Sequence, residues 1–183
     1  MAADKKRARE SAKKIHSMHP DLFKVPVPVE RIAKKLGVLI RFEPMDKDIS
    51  GMIFVKEGRS IIGVNSLHSP NRQRFTIAHE LGHYTMHREK IEQEIHLDTN
   101  FGGLMRDHKA AEGTYDIEIE ANTFAAELLM PTNQLKKELE KLDADLLSNP
   151  FLDEDAELFV ANLAKKFKVS MLAMQTRIGT LQR

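Results

Sequence analysis

Three histidines stand at helical spacing in the stretch TIAHELGHYTMHRE, residues 76–89. His79, His83 and His87 follow one another at intervals of four, and Glu80 comes directly after the first. Residues four apart lie on one face of an α-helix with an axial rise of about 6 Å, so two such imidazoles can share one metal ion. All three cannot, because His79 and His87 would be about 12 Å apart along the axis.

Glu80 distinguishes between the two histidine pairs. An H-E-x-x-H pattern places a carboxylate beside the first ligand, where it can take a proton from metal-activated water. The later pair, in HYTMH, has no acid or base at that position. The sequence therefore predicts His79 and His83 as metal ligands and Glu80 as the general base. His87 is predicted to be a partner at the helix end or to have no connection with the metal.

A catalytic zinc site needs a third protein ligand, and a glycine turn followed by another histidine does not supply it, since Met86 occupies the glycine position. The stretch DIEIEANTFAAELLMP offers carboxylates instead. Glu118 and Asn122 are four apart and share a helix face, so the acid can ligate the metal while the amide supports a ligand. Glu120 lies about 200° round the helix from Glu118, so both cannot face one metal. Glu118 is favoured and Glu120 is the runner-up.

The region between these two segments contributes weaker candidates. His96 and His108 lie in residues 88–115, which show little periodicity and predict a long loop with a candidate short helix at Glu89–Ile95. Both histidines remain secondary candidates for metal ligation.

Proline, glycine and apolar periodicity predict the elements that position these residues. Helices are predicted at residues 4–18, at VPVERIAKKL before Gly37, from Ser69–Pro70 through the histidine stretch, at YDIEIEANTFAAELLM before Pro131, and at Thr132–Leu142, Asp153–Phe167 and Ser170–Leu181. VLIRFEP predicts a strand, and Met52–Val55 with Ser60–Val64 predict a hairpin about a turn at Lys56–Arg59. This order predicts an α+β fold with a small mixed sheet. It also suggests a core at residues 1–131 and a helical C-terminal part at 132–183 packed on it.

Composition excludes several classes of protein. The 183 residues contain 28 Lys+Arg against 27 Asp+Glu, so no net field favours nucleic acid or a membrane. The absence of cysteine excludes disulfides and thiolate metal sites. The chain has no apolar run long enough to span a bilayer and no secretory signal at its start. A cytoplasmic location is the resulting expectation.

The pair IAHELGHYTMH and IEIEANTFAAELLMP resembles the ImmA/IrrE family of zinc metallopeptidases, and looser likeness extends over most of residues 25–182. The resemblance implies a gluzincin-like, zincin-type core with zinc on His79 and His83, Glu80 as base and a carboxylate from the E-A-N helix. The E-x-x-x-N spacing points to Glu118, whereas the adjoining E-A-N matches Glu120. Two histidines and one carboxylate also suit Mn²⁺ or another divalent ion.

The same resemblance implies an endopeptidase that cleaves a partner helix-turn-helix transcriptional repressor. The setting would be regulatory proteolysis or a toxin–antitoxin system, with the repressor as substrate or antitoxin. An extended substrate can add to an edge strand, for which Met52, Ile53, Phe54 and Val55 are candidates and Ser60–Val64 the alternative. Equally, both strands could serve only to cover the core.

A rival function rests on the tail LFVANLAKKFKVSMLAMQTRIGTLQR, which has a helix-turn-helix pattern with Arg177 and Arg183 on or after its second helix. The alternative is therefore a metal-binding regulator that binds DNA or a partner without proteolysis. Acidic DEDAE at residues 153–157 precedes this unit, whereas phosphate binding prefers clustered basic residues. Direct nucleic-acid binding is not expected, and the pattern defines no oligomeric state.

Overall fold

The computed structural model describes residues 2–89, 96–99, 108–141 and 154–181. In chain order the elements are α1 (Lys5–Met18), a 3₁₀ turn (Pro20–Leu22), α2 (Val29–Lys35), β1 (Leu39–Glu43), β2 (Ile49–Lys56), β3 (Arg59–Asn65), α3 (Pro70–Met86), β4 (His96–Thr99), α4 (His108–Leu129), α5 (Thr132–Leu139), α6 (Glu154–Phe167) and α7 (Met171–Leu181). The predicted α+β class is confirmed.

The sheet has four described strands in the order β1-β3-β2-β4. β1 runs parallel to β3, whereas β2 is antiparallel to both β3 and β4, so the sheet is mixed as predicted. The β2–β3 hairpin turns at Glu57 and Gly58, whose φ angles are +52° and +72°. Positive φ at both central positions is the sign pattern of a type I′ turn, which matches the twist of the two strands.

β4 pairs with the side of β2 that was expected to be a free edge of the sheet. Met52 pairs with Leu97 and Ile53 with His96, while β3 lies between β1 and β2. The edge position expected for Met52 and Ile53 is therefore wrong, and so is the alternative for Ser60–Val64. The error arises because β4 was predicted as part of a loop. Phe54 and Val55 pair with β3 and lie beyond the register of β4.

Helix α3 lies between the sheet and α4, and its apolar side chains fill the centre of the fold. Ile77, Ala78 and Leu81 have no exposed surface. Ser69 is the N-cap and Pro70 the first helical residue, as predicted, although the Ser69 side chain makes no capping hydrogen bond. Burying a polar side chain in such a helix costs free energy unless the side chain has a bonding partner. The histidines of α3 are therefore expected to interact with other groups.

Helix α4 begins earlier than predicted, at His108 rather than at Tyr115. Together with β4, it shortens the loop predicted for residues 88–115. The candidate short helix at Glu89–Ile95 lies almost entirely outside the described residues. No described helix is long and apolar enough to cross a membrane.

The C-terminal helices share the hydrophobic core with the rest of the chain. Leu135, Leu163, Phe167 and Ile178 belong to the same buried cluster as the residues under the sheet. The division at residue 131 stays a prediction. Arg177 is only 3% exposed, because its guanidinium pairs with Glu127 inside the fold. Arg177 is therefore not exposed in the way that the rival DNA-binding function would require, and Arg183 lies outside the described residues.

Candidate metal centre

The close approach of α3 and α4 depends on Gly82. A Cβ at this position would lie 3.1 Å from the Ala121 Cα, 3.2 Å from the Phe124 Cδ1 and 3.3 Å from the Ala121 carbonyl oxygen. These separations are tighter than most contacts of a real Cβ, so an alanine here would require α3 and α4 to move apart by a few tenths of an ångström. Gly82 lies between His79 and His83 in the chain, so the same contact brings both imidazoles to α4.

Three side chains converge where these helices meet. The Nε2 atoms of His79 and His83 are 3.0 Å apart. Glu118 places Oε2 3.2 Å from the His79 Nε2 and Oε1 3.3 Å from the His83 Nε2. Ligand atoms each 2.0–2.1 Å from one zinc ion lie about 3.3 Å apart in a tetrahedron. The observed separations are therefore those of a ligand set around a common point.

Asn122 fixes the orientation of the first histidine. Its Oδ1 lies 3.0 Å from the His79 Nδ1, where an Nδ1–H can donate to the amide oxygen. That tautomer leaves Nε2 as the lone-pair atom that faces His83 and Glu118. Asn122 is one helical turn beyond Glu118, so α4 supplies both the carboxylate and the group that orients an imidazole.

The donor set fits a divalent cation. Two imidazole nitrogens and one carboxylate are ligands that zinc accepts, and three protein ligands leave a fourth position for catalysis. Among the described residues, His79, His83 and Glu118 form the one group of three such side chains close enough to hold a metal ion. His79 and His83 are 2% and 1% exposed, so they lie in a pocket where charge is poorly solvated. A bound cation would compensate Glu118 there.

Glu80 lies in the same buried layer of α3, with no exposed surface. A carboxylate removed from water is costly unless other groups interact with it, so the complete burial of Glu80 next to His79 argues against a solvated helix face. It occupies the position predicted for a general base.

Glu120 and His87 form a separate contact. The Glu120 Oε2 lies 3.4 Å from the His87 Nε2, and its Oε1 accepts the Asp4 backbone N–H at 2.8 Å. Glu120 therefore faces the end of α3 and the start of α1, away from the His79–His83–Glu118 group. His87 lies at the C-cap of α3, with its ring centroid 5.6 Å from that of His83. The side chains of His96 and His108 are outside the described part of the structure.

Sequence reasoning missed the contribution of α1 to this region. Arg7 donates from Nη2 to the Met86 carbonyl oxygen at 3.0 Å, and the Asp4 backbone N–H donates to the Glu120 carboxylate. These pairs are 79 and 116 residues apart in the chain. No local spacing signals such contacts.

Comparison with known proteins gives one family and a shared fold. A family model described as Peptidase_M78, IrrE N-terminal-like domain, matches residues 33–179. A solved Mycobacterium tuberculosis transcriptional regulator matches with a TM-score of 0.59 and 14% identity, over 95% of this chain and 48% of that one. At this identity the likeness shows the fold alone, and the chain spans about half the length of that protein. No curated protein matches the sequence significantly.

Proposed function

This chain belongs to the Peptidase_M78 family of IrrE N-terminal-like domains, and we propose that it is a zinc-dependent endopeptidase. The proposed ligands are His79, His83 and Glu118, and Glu80 is the proposed general base. The observation that carries the proposal is the convergence of two imidazole nitrogens and a carboxylate within 3.0–3.3 Å of one another. Mn²⁺ or another divalent ion is the alternative to zinc.

The chemistry divides between the cation and the chain. A bound divalent cation supplies Lewis-acid activation of water and of the scissile carbonyl. Glu80 holds the proton released from water at its carboxylate and passes it to the departing amine. Asn122 keeps the His79 imidazole in the Nδ1–H tautomer, and the burial of His79 and His83 keeps bulk water from screening these groups.

The proposed substrate is a partner helix-turn-helix transcriptional repressor, as regulatory target or as antitoxin. Its support is the family likeness. An extended peptide is expected to add at the β4 side of the sheet, since β4 is the outer described strand next to β2, which packs on α3. We therefore propose β4, and not β2, as the edge strand to which the substrate adds.

A regulator that binds DNA without proteolysis is less well supported. Its second helix would need exposed basic residues to contact phosphates. Arg177, on α7, is buried against Glu127 instead. The DNA-binding alternative therefore loses one of the two arginines on which it rested.

The direct test replaces Glu80 by glutamine. Glu80→Gln should still bind one equivalent of metal while cleavage of the proposed repressor substrate falls about 10²–10⁴-fold, because the variant loses the general base but keeps all the ligands. Glu10→Gln, on the exposed face of α1, is the matched control and should cleave normally. Cleavage by Glu80→Gln at the parental rate would show that the mechanism is wrong.

Removal of the metal provides a second test. Treatment with a chelator should abolish cleavage, and Zn²⁺ should restore it to apo protein that has remained folded. If Mn²⁺ but not Zn²⁺ restores cleavage, the protein is still a metallopeptidase, but its metal is Mn²⁺ and not zinc. If neither ion restores cleavage, the proposal is wrong.

A further inference from the structure

The second histidine of the metal centre lies close to the end of its helix. α3 ends at Met86, so His83 belongs to the last turn. Terminal turns open more readily than helix interiors, because their last carbonyl groups lack partners within the helix. Any opening of this turn would move the His83 ring relative to Glu118. The end of α3 therefore needs an external support.

That support comes from the first turn of α1. Arg7 donates from its guanidinium to the Met86 carbonyl oxygen at 3.0 Å, which satisfies one of the free acceptors and places a cation at the negative end of the helix. The turn is itself capped, since the Asp4 side chain accepts the Arg7 backbone N–H at 2.8 Å. Ala8 and Ala12, both fully buried, let α1 lie close to the neighbouring helices.

Glu120 joins α1 to both helices of the metal centre. One carboxylate oxygen accepts the Asp4 backbone N–H, and the other faces His87, the residue after the last turn of α3. Glu120 is 8% exposed and lies on α4 between Glu118 and Asn122. A single side chain thus links the start of α1, the end of α3 and the segment of α4 that faces the histidines.

We infer that the first turn of α1, acting through Arg7 and Glu120, is a clamp that holds the last turn of α3 against α4 and thereby sets the affinity of the metal centre. Glu120 is then a positioning residue and not a ligand. The inference rests on the proposed function only in assuming that His79, His83 and Glu118 bind a metal. The clamp lies partly outside the family match, which begins at residue 33.

The backbone contact can be tested at Asp4. Asp4→Pro removes the N–H that donates to Glu120, and the φ of −86° at this position is close to the range of about −65 ± 15° that proline adopts. Asp4→Ala removes only the side-chain cap and retains the N–H, so it is the matched control. Cobalt(II) titration of apo protein should show roughly tenfold weaker binding for Asp4→Pro than for Asp4→Ala, as expected for loss of a group that supports a ligand.

The side-chain contacts can be tested by paired variants. Arg7→Ala and Glu120→Ala should each weaken cobalt(II) binding by roughly tenfold. Arg7→Lys and Glu120→Gln should recover part of that loss, because each keeps a donor or an acceptor. Lys14→Ala, which removes an exposed charge from the same helix, should leave the affinity unchanged. The visible cobalt spectrum should keep its shape in all of them, since no ligand is lost.

Glu118→Ala separates this inference from the assignment of the centre. It should abolish the cobalt spectrum, whereas Glu120→Ala should retain it at higher metal concentration. Unchanged affinity in Arg7→Ala and Asp4→Pro, with loss of binding in Glu118→Ala, would overturn the clamp and leave the metal centre intact. An abolished spectrum in Glu120→Ala would make Glu120 a ligand and overturn the inference. Failure of the parent protein to bind cobalt(II) would overturn both proposals.

Discussion

Glu118 and Glu127 lie on the same helix and are both withdrawn from water, yet their surroundings differ. Glu127 pairs with the Arg177 guanidinium, accepts the Thr132 backbone N–H at 3.0 Å and accepts the Thr132 hydroxyl at 2.8 Å. Glu118 instead faces the Nε2 atoms of His79 and His83. Imidazoles are neutral when they ligate a metal, so in the proposed metal-bound state the cation would balance the charge of Glu118.

The difference distinguishes a structural ion pair from a proposed metal site. Around Glu127 the chain supplies the cation and the donors itself, and the cluster joins α4, α5 and α7. Around Glu118 the chain supplies ligand atoms at metal-binding separations. Buried charge alone does not identify a functional site, whereas the convergence of metal-ligating atoms supports a metal-binding proposal.

The largest expected effect comes from the structural cluster. Arg177→Met leaves Glu127 as a buried carboxylate without its cation and should lower the free energy of unfolding by about 3–5 kcal/mol. Glu118→Gln should cost the apo protein less, about 1 kcal/mol, because glutamine has the same size and its amide can still hydrogen-bond to the neighbouring imidazoles. Urea denaturation of both metal-free variants measures the contrast.

The double variant Arg177→Met/Glu127→Met completes this comparison. It should be more stable than Arg177→Met alone, since the uncompensated charge has been removed. Equal loss of stability in Glu118→Gln and Arg177→Met would mean that both acids are structural, and the distinction between the two regions would fail.

The contact between α3 and α4 should give the next largest effect. Gly82→Ala would force the helices apart at Ala121 and should cost about 1–3 kcal/mol of stability, with weaker metal binding. Gly179→Ala is the matched control, because a Cβ there meets nothing within 4 Å and lies on α7. That change should stabilise the protein by about 0.5–1 kcal/mol. Similar stability changes in the two variants would contradict the close packing proposed at Gly82.

The smallest of these effects concerns His16, on the face of α1 that packs against α4. Burial lowers its pKa below 6.5, although the hydrogen bond to the Leu128 carbonyl oxygen at 3.1 Å and the charge of Glu127 oppose this shift. Because the folded state favours the neutral imidazole, His16 should contribute stability above pH 6.5, and this contribution should be lost as the pH falls below that value.

The test for His16 compares the pH dependence of unfolding in His16→Gln and in the parent protein. The parent should lose more stability than the variant between pH 7.5 and pH 5.5. A larger loss of stability in the variant would mean that folding raises the pKa of His16, which would contradict the prediction.

Much of the local architecture could be predicted from single residues. Pro70 and Pro131 mark the start of α3 and the end of α4, and Gly58 lies in the turn of the β2–β3 hairpin. The helical period also separated Glu118 from Glu120, and the structure places these two acids in different contacts. Their roles as ligand and support remain predictions.

The parts that were not predicted depend on contacts between distant segments. β4 is only four residues long, and its assignment follows from pairing with β2 rather than from its own pattern. Arg177 is a charged residue between apolar helical neighbours, Met174 and Leu181, and its pairing partner Glu127 is 50 residues away in the chain. The contacts of α1 with α3 and α4 also join residues that are far apart in the chain. Local sequence preference does not predict such contacts, because tertiary packing can override it.

The most direct measurement is a crystal structure of the zinc-loaded protein with anomalous diffraction recorded on both sides of the zinc absorption edge. The account predicts one strong anomalous peak bonded to the Nε2 atoms of His79 and His83 and to a Glu118 carboxylate oxygen, each at about 2.0–2.2 Å. Glu120 should remain in contact with His87. A peak elsewhere, or a zinc ion bound by Glu120 in place of Glu118, would contradict the account.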